Sequence, residues 1–236
     1  MSNRERALAV QMLLSLAKTP LAIKFLTRSD EALDIPEASF TPPSSCAFWT
    51  QGLRHAFSTR PAQHLNCNIG AYTHGIKSIQ EVGPGCGCDD VDFLLNIGRF
   101  SRQDFEKLPR INKKPERVVY FPLADLDFQP DVILLFGKAS QSQLLFEAAQ
   151  RAGVDTSFRG MPTCSVIPHA IHSQGVVFGL GCTSSRIRAG YGDDEILVAI
   201  TPGTLDRLLE VLDSLVASER ELINYELGSV AKHGRF

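Results

Sequence analysis

The stretch "DVILLFGKASQSQLLFEAAQRAG", Asp131 to Gly153, decides the fold. Asp131 to Phe136 ends in an unbroken apolar run of strand length with no position reserved for water, so it reads as a strand covered on both faces. Gly137 turns the chain, Ser140 is a capping residue, and the segment that follows reads as a helix closed by Gly153. A doubly covered strand feeding a helix calls for a sheet with helical layers, and the rest of the chain supplies the other members.

Working outward, "LAIKFL" (21–26), "VVYFPL" (118–123), "GVVFGLG" (175–181) and "EILVAI" (195–200) read as further strands. Residues 5–18 place Leu8, Met12 and Leu16 at helical spacing, with Val10, Leu13 and Leu14 widening the face, and Pro20 ends that helix. A second helix is expected in "DVDFLLNIGRF", Asp90 to Phe100. Thr201 and Pro202 supply a cap and a first-turn proline for a long helix in which Leu205, Leu208, Leu209, Leu212, Leu215 and Val216 follow the i, i+3, i+4 pattern. Polar, proline-containing stretches through Pro43 and at "PRINKKPER" (109–117) read as loops. Strands alternating with helices give an α/β or α+β protein. The expectation is a single domain over 1–236, built of two pseudo-repeated strand–helix–strand halves, about 1–125 and 126–236, packed into one globule.

Charge removes several function classes. With 24 basic against 26 acidic residues and no run of either sign, the chain lacks an electrostatic footprint for nucleic acid or acidic lipid. No apolar run approaches the roughly 18 residues of a membrane span, and the N-terminal segment has no small-residue cleavage site. A cytoplasmic protein is expected, with its six cysteines reduced rather than forming a disulfide framework.

The cysteines carry the chemistry. In the first half a strand leads to "PSSCAFWTQGLRHAF" with Cys46 and then to "LNCNIGAYTHG" with Cys67. In the second, a strand and helix lead to "MPTCSVIPHAIHS" with Cys164 and then to "GLGCTSSRIRAG" with Cys182. Each half thus has one cysteine at a helix start and another at the end of the following strand, and a pseudo-two-fold axis would bring the two pairs together. Four thiolates around one point suit zinc or an iron–sulfur cluster, although no C-x2-C pair of the zinc-ribbon or ferredoxin kind occurs. Read blandly, the same four are small buried hydrophobes. Cys86 and Cys88, in "GPGCGC", read as members of a tight turn too short for an easy disulfide between them.

Other groupings are weaker. "CTSSRIRAGYGDD" follows a strand, and its Arg186 and Arg188 suit a carboxylate or phosphate; equally, they suit pairing with Asp193, Asp194 or Glu195 on a surface loop. "FGKAS" lacks P-loop spacing and "GLGCTS" lacks a dinucleotide fingerprint. His55, His64, His74, His169 and His172 are candidate ligands or acid–base groups by type alone.

Together "PLAIKFL", "CAFW", "CNIGAYTHG", "PDVILLFGKASQ", "MPTCSVIP" and "GLGCTSSRIRAGYGDDEILVAITP" make the chain similar to the family known as domain of unknown function 169, over roughly residues 8–218. The resemblance brings no settled activity. It implies an α/β protein whose cysteine positions correspond to Cys46, Cys67, Cys164 and Cys182, and it leaves Cys86 and Cys88 outside the pattern. The expectation is a cysteine-ligated metal centre on those four residues, iron–sulfur rather than zinc, with a redox or small-molecule-binding role. Arg186, Arg188 and Trp49 would line the adjoining crevice, and Cys86, Cys88 and His169 are secondary candidates. Partners would be a small-molecule substrate or a redox protein, and homo-oligomerisation fits as well. Two alternatives stand beside it: a metal-free binder or enzyme with a reactive Cys182 or Cys164 beside the arginines, and a non-catalytic partner protein docking through its terminal helices.

Overall fold

The computed structural model describes residues 1–28, 30 and 33–233. In chain order it runs α1 (Asn3–Leu14), β1 (Leu21–Leu26), α2 (Ala47–Gly52), β2 (Phe57–Thr59), α3 (Asn68–Thr73), α4 (Ile79–Val82), α5 (Asp89–Asn96) and α6 (Arg102–Glu106). There follow β3 (Arg117–Pro122), β4 (Val132–Gly137), α7 (Ala139–Arg151), β5 (Thr156–Arg159), α8 (Val166–Ser173), β6 (Val176–Gly179), α9 (Thr183–Ala189), β7 (Ile196–Ile200) and α10 (Pro202–His233). The strands form one sheet in the order β2-β3-β1-β4-β7-β6-β5. All neighbours are antiparallel except the β5–β6 pair.

The strand that opened the sequence reading sits at the centre. β4 pairs with β1 through Leu134↔Leu21 and with β7 through Leu134↔Ala199. Successive side chains point to opposite faces of a strand, so Val132, Leu134 and Phe136 enter one core while Ile133 and Leu135 enter the other. Burying a side chain of this size stabilises by about 1.5–3 kcal/mol; an apolar residue at every position therefore identifies a central strand. On the face of Ile133 and Leu135 lie α1, α7 and α10, with Leu205, Leu208, Leu209, Leu212, Leu215 and Val216 of α10 all buried. The opposite face carries Phe48 and Trp49 of α2, Tyr72 of α3 and Val166, Ile167 and Ala170 of α8. Thr201 caps α10, its Oγ1 accepting from the Thr204 amide at 3.4 Å.

Three details depart from the sequence reading. The first helix stops at Leu14, where Ser15 takes a left-handed conformation (φ 51°), and it buries Ala7, Val10 and Leu14. Leu8 and Met12 point outward, 49% and 74% exposed. Polar anchors choose that face: Asn3 Nδ2 donates to the carbonyls of Leu126 and Phe128, and Arg6 grips Asp206 through two hydrogen bonds of 2.8 and 2.7 Å. At α7, Gln141 rather than Ser140 closes the start, its Oε1 accepting from the Lys138 amide at 2.7 Å. The two halves also contribute unlike parts of the one sheet, three antiparallel strands (β1–β3) against four (β4–β7) that include the parallel pair. Among the described residues no helix is long and apolar enough to cross a membrane.

Candidate functional site

On the α2/α8 face the connections leaving the sheet enclose a cavity of about 890 Å³, and Cys46, Cys67, Cys164 and Cys182 all line it. Cys46 immediately precedes α2, Cys67 precedes α3 and Cys182 precedes α9. Cys164 sits in the 3-10 turn Thr163–Ser165 that leads into α8. Cys67 and Cys182 therefore lie at helix starts, not at strand ends as their spacing suggested. Free N–H groups at a helix start favour a thiolate, so the chain repeats one local device at the cavity wall.

The four thiols are unequal. Cys46 is buried, and burial pushes its thiol up to about 12 against the contact with Ser44 Oγ at 3.2 Å. Burial likewise raises Cys164 well above the usual thiol range, and negative charge on Cys67, Cys182 or Cys46 raises it further. Cys67 is also raised by burial, with the amides of Ser45 and Gly70 pulling the other way. At Cys182 burial is outweighed by the hydroxyl and amide donors of Thr163 and Ser185, and its thiol is lowered. Both residues are held beside it, the Cys182 amide donating to Thr163 Oγ1 at 2.6 Å and to Ser185 Oγ at 3.0 Å. Among the described residues no group of three or more His, Cys, Asp or Glu side chains is arranged to hold a metal ion; the sulfurs share a cavity without being drawn to one point.

Behind Cys67 runs a buried polar chain. Thr59 Oγ1 donates to the Val118 carbonyl at 3.2 Å, so it accepts from His64 Nε2 at 2.8 Å. His64 Nδ1 is then left to accept from Ser45 Oγ at 3.1 Å. This assignment makes His64 neutral, in keeping with burial and the neighbouring His74, which lower it well below the usual imidazole range. Ser45 lines the cavity. Gly70 permits the arrangement: a Cβ there would lie 2.5 Å from Ser45 Oγ and 2.9 Å from Cys67 Sγ. His74 is fully buried against the Phe25 ring at 5.6 Å, and neither of its ring nitrogens has a hydrogen-bond partner among the described residues.

The other expected residues separate. Arg188 lines the cavity and donates to the Pro43 carbonyl at 3.2 Å. Arg186 instead ties its own loop, donating to the carbonyls of Gly192 and Leu180 and pairing with Asp193 at 3.8 Å. Trp49 is fully buried in the core, 6.3 Å from the Tyr191 ring, and does not line the cavity. His169 is turned toward β5, bonded to Ser157 and Arg159. Cys86 and Cys88 are joined in a disulfide, contrary to the sequence expectation. Gly85 and Gly87, at φ 88° and 74°, let the chain double back so that the two Cα atoms come within 5.4 Å, inside the usual disulfide range. Sequence reasoning missed Ser45, Thr163 and Ser185, and also Lys77, which lines the cavity and donates to Asn68 Oδ1 at 2.6 Å. Only the hydroxyl residues beside cysteine in "SSC", "PTC" and "CTSS" hinted at the first three.

Fold and site together define a mixed α/β protein with a four-thiol cavity on one face of an antiparallel-dominated sheet. A family profile described as "Uncharacterised ArCR", domain of unknown function 169, matches residues 9–211, and the chain belongs to that family. It is similar to the uncharacterized protein MJ0308 of Methanocaldococcus jannaschii, 24% identical over 222 residues that span 89% of this chain and 93% of the relative. No solved structure matches the chain.

Proposed function

We propose that the cavity holds a cysteine-ligated metal centre, an iron–sulfur cluster bound by Cys46, Cys67, Cys164 and Cys182, with a redox or small-molecule-binding role. The observation that carries this reading is the meeting of four cysteines from distant parts of the chain in one cavity. Metal binding exchanges thiol protons for cationic charge, which offsets the burial that, with a smaller contribution from the neighbouring sulfurs, raises Cys46 and Cys164. A single zinc ion needs its sulfurs about 2.3 Å from one point, whereas a cluster carries iron and sulfide of its own between more widely spaced ligands. Dispersed sulfurs around a roomy cavity therefore favour the cluster, with zinc as the alternative. Arg188 and Lys77 share the cavity wall with Asp89 and Asp90, so its lining suits a small molecule or redox partner that carries charges of both signs. Serine in place of any one of the four cysteines is expected to release or destabilise the metal; a fully loaded, stable Cys182→Ser protein would count against the assignment.

A second reading has its own support. Cys182 alone of the four is lowered, as a metal-free binder or enzyme with one reactive thiol requires. Protein that contains no metal after anaerobic purification, and in which Cys182 is alkylated far faster than the other three, would favour this reading over the first.

A further inference from the structure

We propose that Cys86 and Cys88 form a redox-active dithiol–disulfide pair, a thiol-exchange site at the mouth of the four-cysteine cavity whose partner is an external dithiol. The pair is independent of the metal centre. Cys88 and Gly87 contribute to the cavity wall, so the disulfide sits where a partner would approach. Both cysteines are half-buried and Gly87 is exposed. Among the described residues nothing lies within 4 Å of a Cβ built on Gly85 or Gly87, which leaves an attacking thiolate room to reach sulfur.

A structural purpose accounts poorly for this bond. A disulfide stabilises more the longer the loop it closes, and this one spans a sequence separation of 2. The surroundings also suit the reduced state. Cys88 Sγ lies 3.3 Å from the Glu81 carbonyl oxygen, an acceptor that a thiol uses and a disulfide sulfur cannot. Since the two glycines hold the Cα atoms 5.4 Å apart, the reduced sulfurs stay within reach of each other and re-oxidation is intramolecular.

The exchange balances as follows. A thiolate of the external dithiol attacks Cys86 sulfur, the Cys86–Cys88 bond breaks, and its electron pair leaves on Cys88. That sulfur takes a proton and donates to the Glu81 carbonyl. The partner's second thiol then displaces Cys86, so the partner leaves as a disulfide and the pair has gained two electrons and two protons. A monothiol cannot complete the second step from within its own molecule, and its mixed disulfide is reversed by Cys88 close by.

The test uses the full-length protein, oxidised and kept folded, treated with dithiothreitol or with glutathione at equal thiol concentration, then alkylated and peptide-mapped. Dithiothreitol is expected to add two labels to the peptide carrying Cys86 and Cys88 and glutathione about tenfold fewer, and a portion of the reduced protein re-oxidised with glutathione disulfide before alkylation is expected to carry none. Resistance to both reagents until the protein is unfolded would overturn the proposal, as would equal reduction by both or a pair that stays alkylatable after oxidation. A Cys86→Ser/Cys88→Ser double variant, checked for cooperative unfolding, is expected to lose this step alone. Scoring this peptide apart from those of Cys46, Cys67, Cys164 and Cys182 separates failure here from failure of the metal assignment.

Discussion

Replacing Gly70 by alanine tests the packing that joins the polar chain to the thiol cavity. The added methyl would lie 2.5 Å from Ser45 Oγ, 2.8 Å from Ser45 Cβ and 2.9 Å from Cys67 Sγ, so something must move. Neither neighbour is the free end of a flexible side chain. Overpacking of this kind costs about 1–3 kcal/mol. Displacing Ser45 also breaks its 3.1 Å bond to His64, at about 1 kcal/mol. Against these stands the gain from replacing a helical glycine, about 1 kcal/mol at most. The net expectation is a loss of about 1–3 kcal/mol, which for a chain of this size lowers Tm by about 2–4 °C per kcal/mol. Gly203, in the first turn of α10, where none of the described residues comes within 4 Å of an added Cβ, is the control, and Gly203→Ala is expected to be neutral or slightly stabilising. Thermal unfolding of both variants gives the stabilities, and alkylation of Cys67 under native conditions reports the displacement. A Gly70→Ala protein as stable as the parent, with Cys67 reactivity unchanged, would refute the close packing of Ser45, Cys67 and Gly70.

Three further outcomes are expected. In metal-free protein Cys182 should be the first of the four free thiols alkylated near neutral pH, with Cys46 and Cys164 inert, because donors from Thr163 and Ser185 lower Cys182 while burial raises the others; Thr163→Val should slow that reaction, and an unchanged rate would show that the donors do not act. Asp206 is lowered by its hydrogen bonds to Arg6, so the stability it contributes is full above about pH 4 and is lost as pH falls through its depressed native value. Asp206→Asn should cost about 1 kcal/mol at pH 7 in urea unfolding, and the difference should vanish in strong acid. His74 is held at about 4 by burial, so the unfolded chain takes up its proton first, and its contribution is intact above about pH 6.5 and declines as pH falls toward 4, by about 3 kcal/mol in all. His74→Phe should flatten that part of the stability profile; an unaltered slope would place the proton uptake elsewhere, His64 being the other buried imidazole.

Legibility in the sequence followed burial. β1, β3, β4, β6, β7 and α10 are marked by apolar runs or helical spacing because their side chains meet the two cores. β5, "TSFR", is an edge strand with no buried residue, and backbone pairing with β6 defines it where side chains do not. The sequence marks α1 as a helix but not its buried face, since Asn3 and Arg6 bind by hydrogen bonds that hydrophobic periodicity does not register. The four cavity cysteines were legible as a set from their recurrence in the two halves and from the family resemblance. Their supporting hydroxyls were not, because a serine or threonine one to three residues away carries no signal until the fold turns it toward sulfur. Arg186 and Arg188 are two residues apart on α9, so they cannot share one helix face, and only Arg188 reaches the cavity.

The central claim is that these four sulfurs bind metal together. The most direct measurement is iron, zinc and acid-labile sulfide content, with a visible spectrum, on protein purified without oxygen, alongside the serine variants of Cys46, Cys67, Cys164 and Cys182. Iron with matching sulfide and a broad absorption, both lost in each variant, is the predicted result. Folded, freshly reduced parent protein that carries no metal and takes up none from iron and sulfide would contradict the claim.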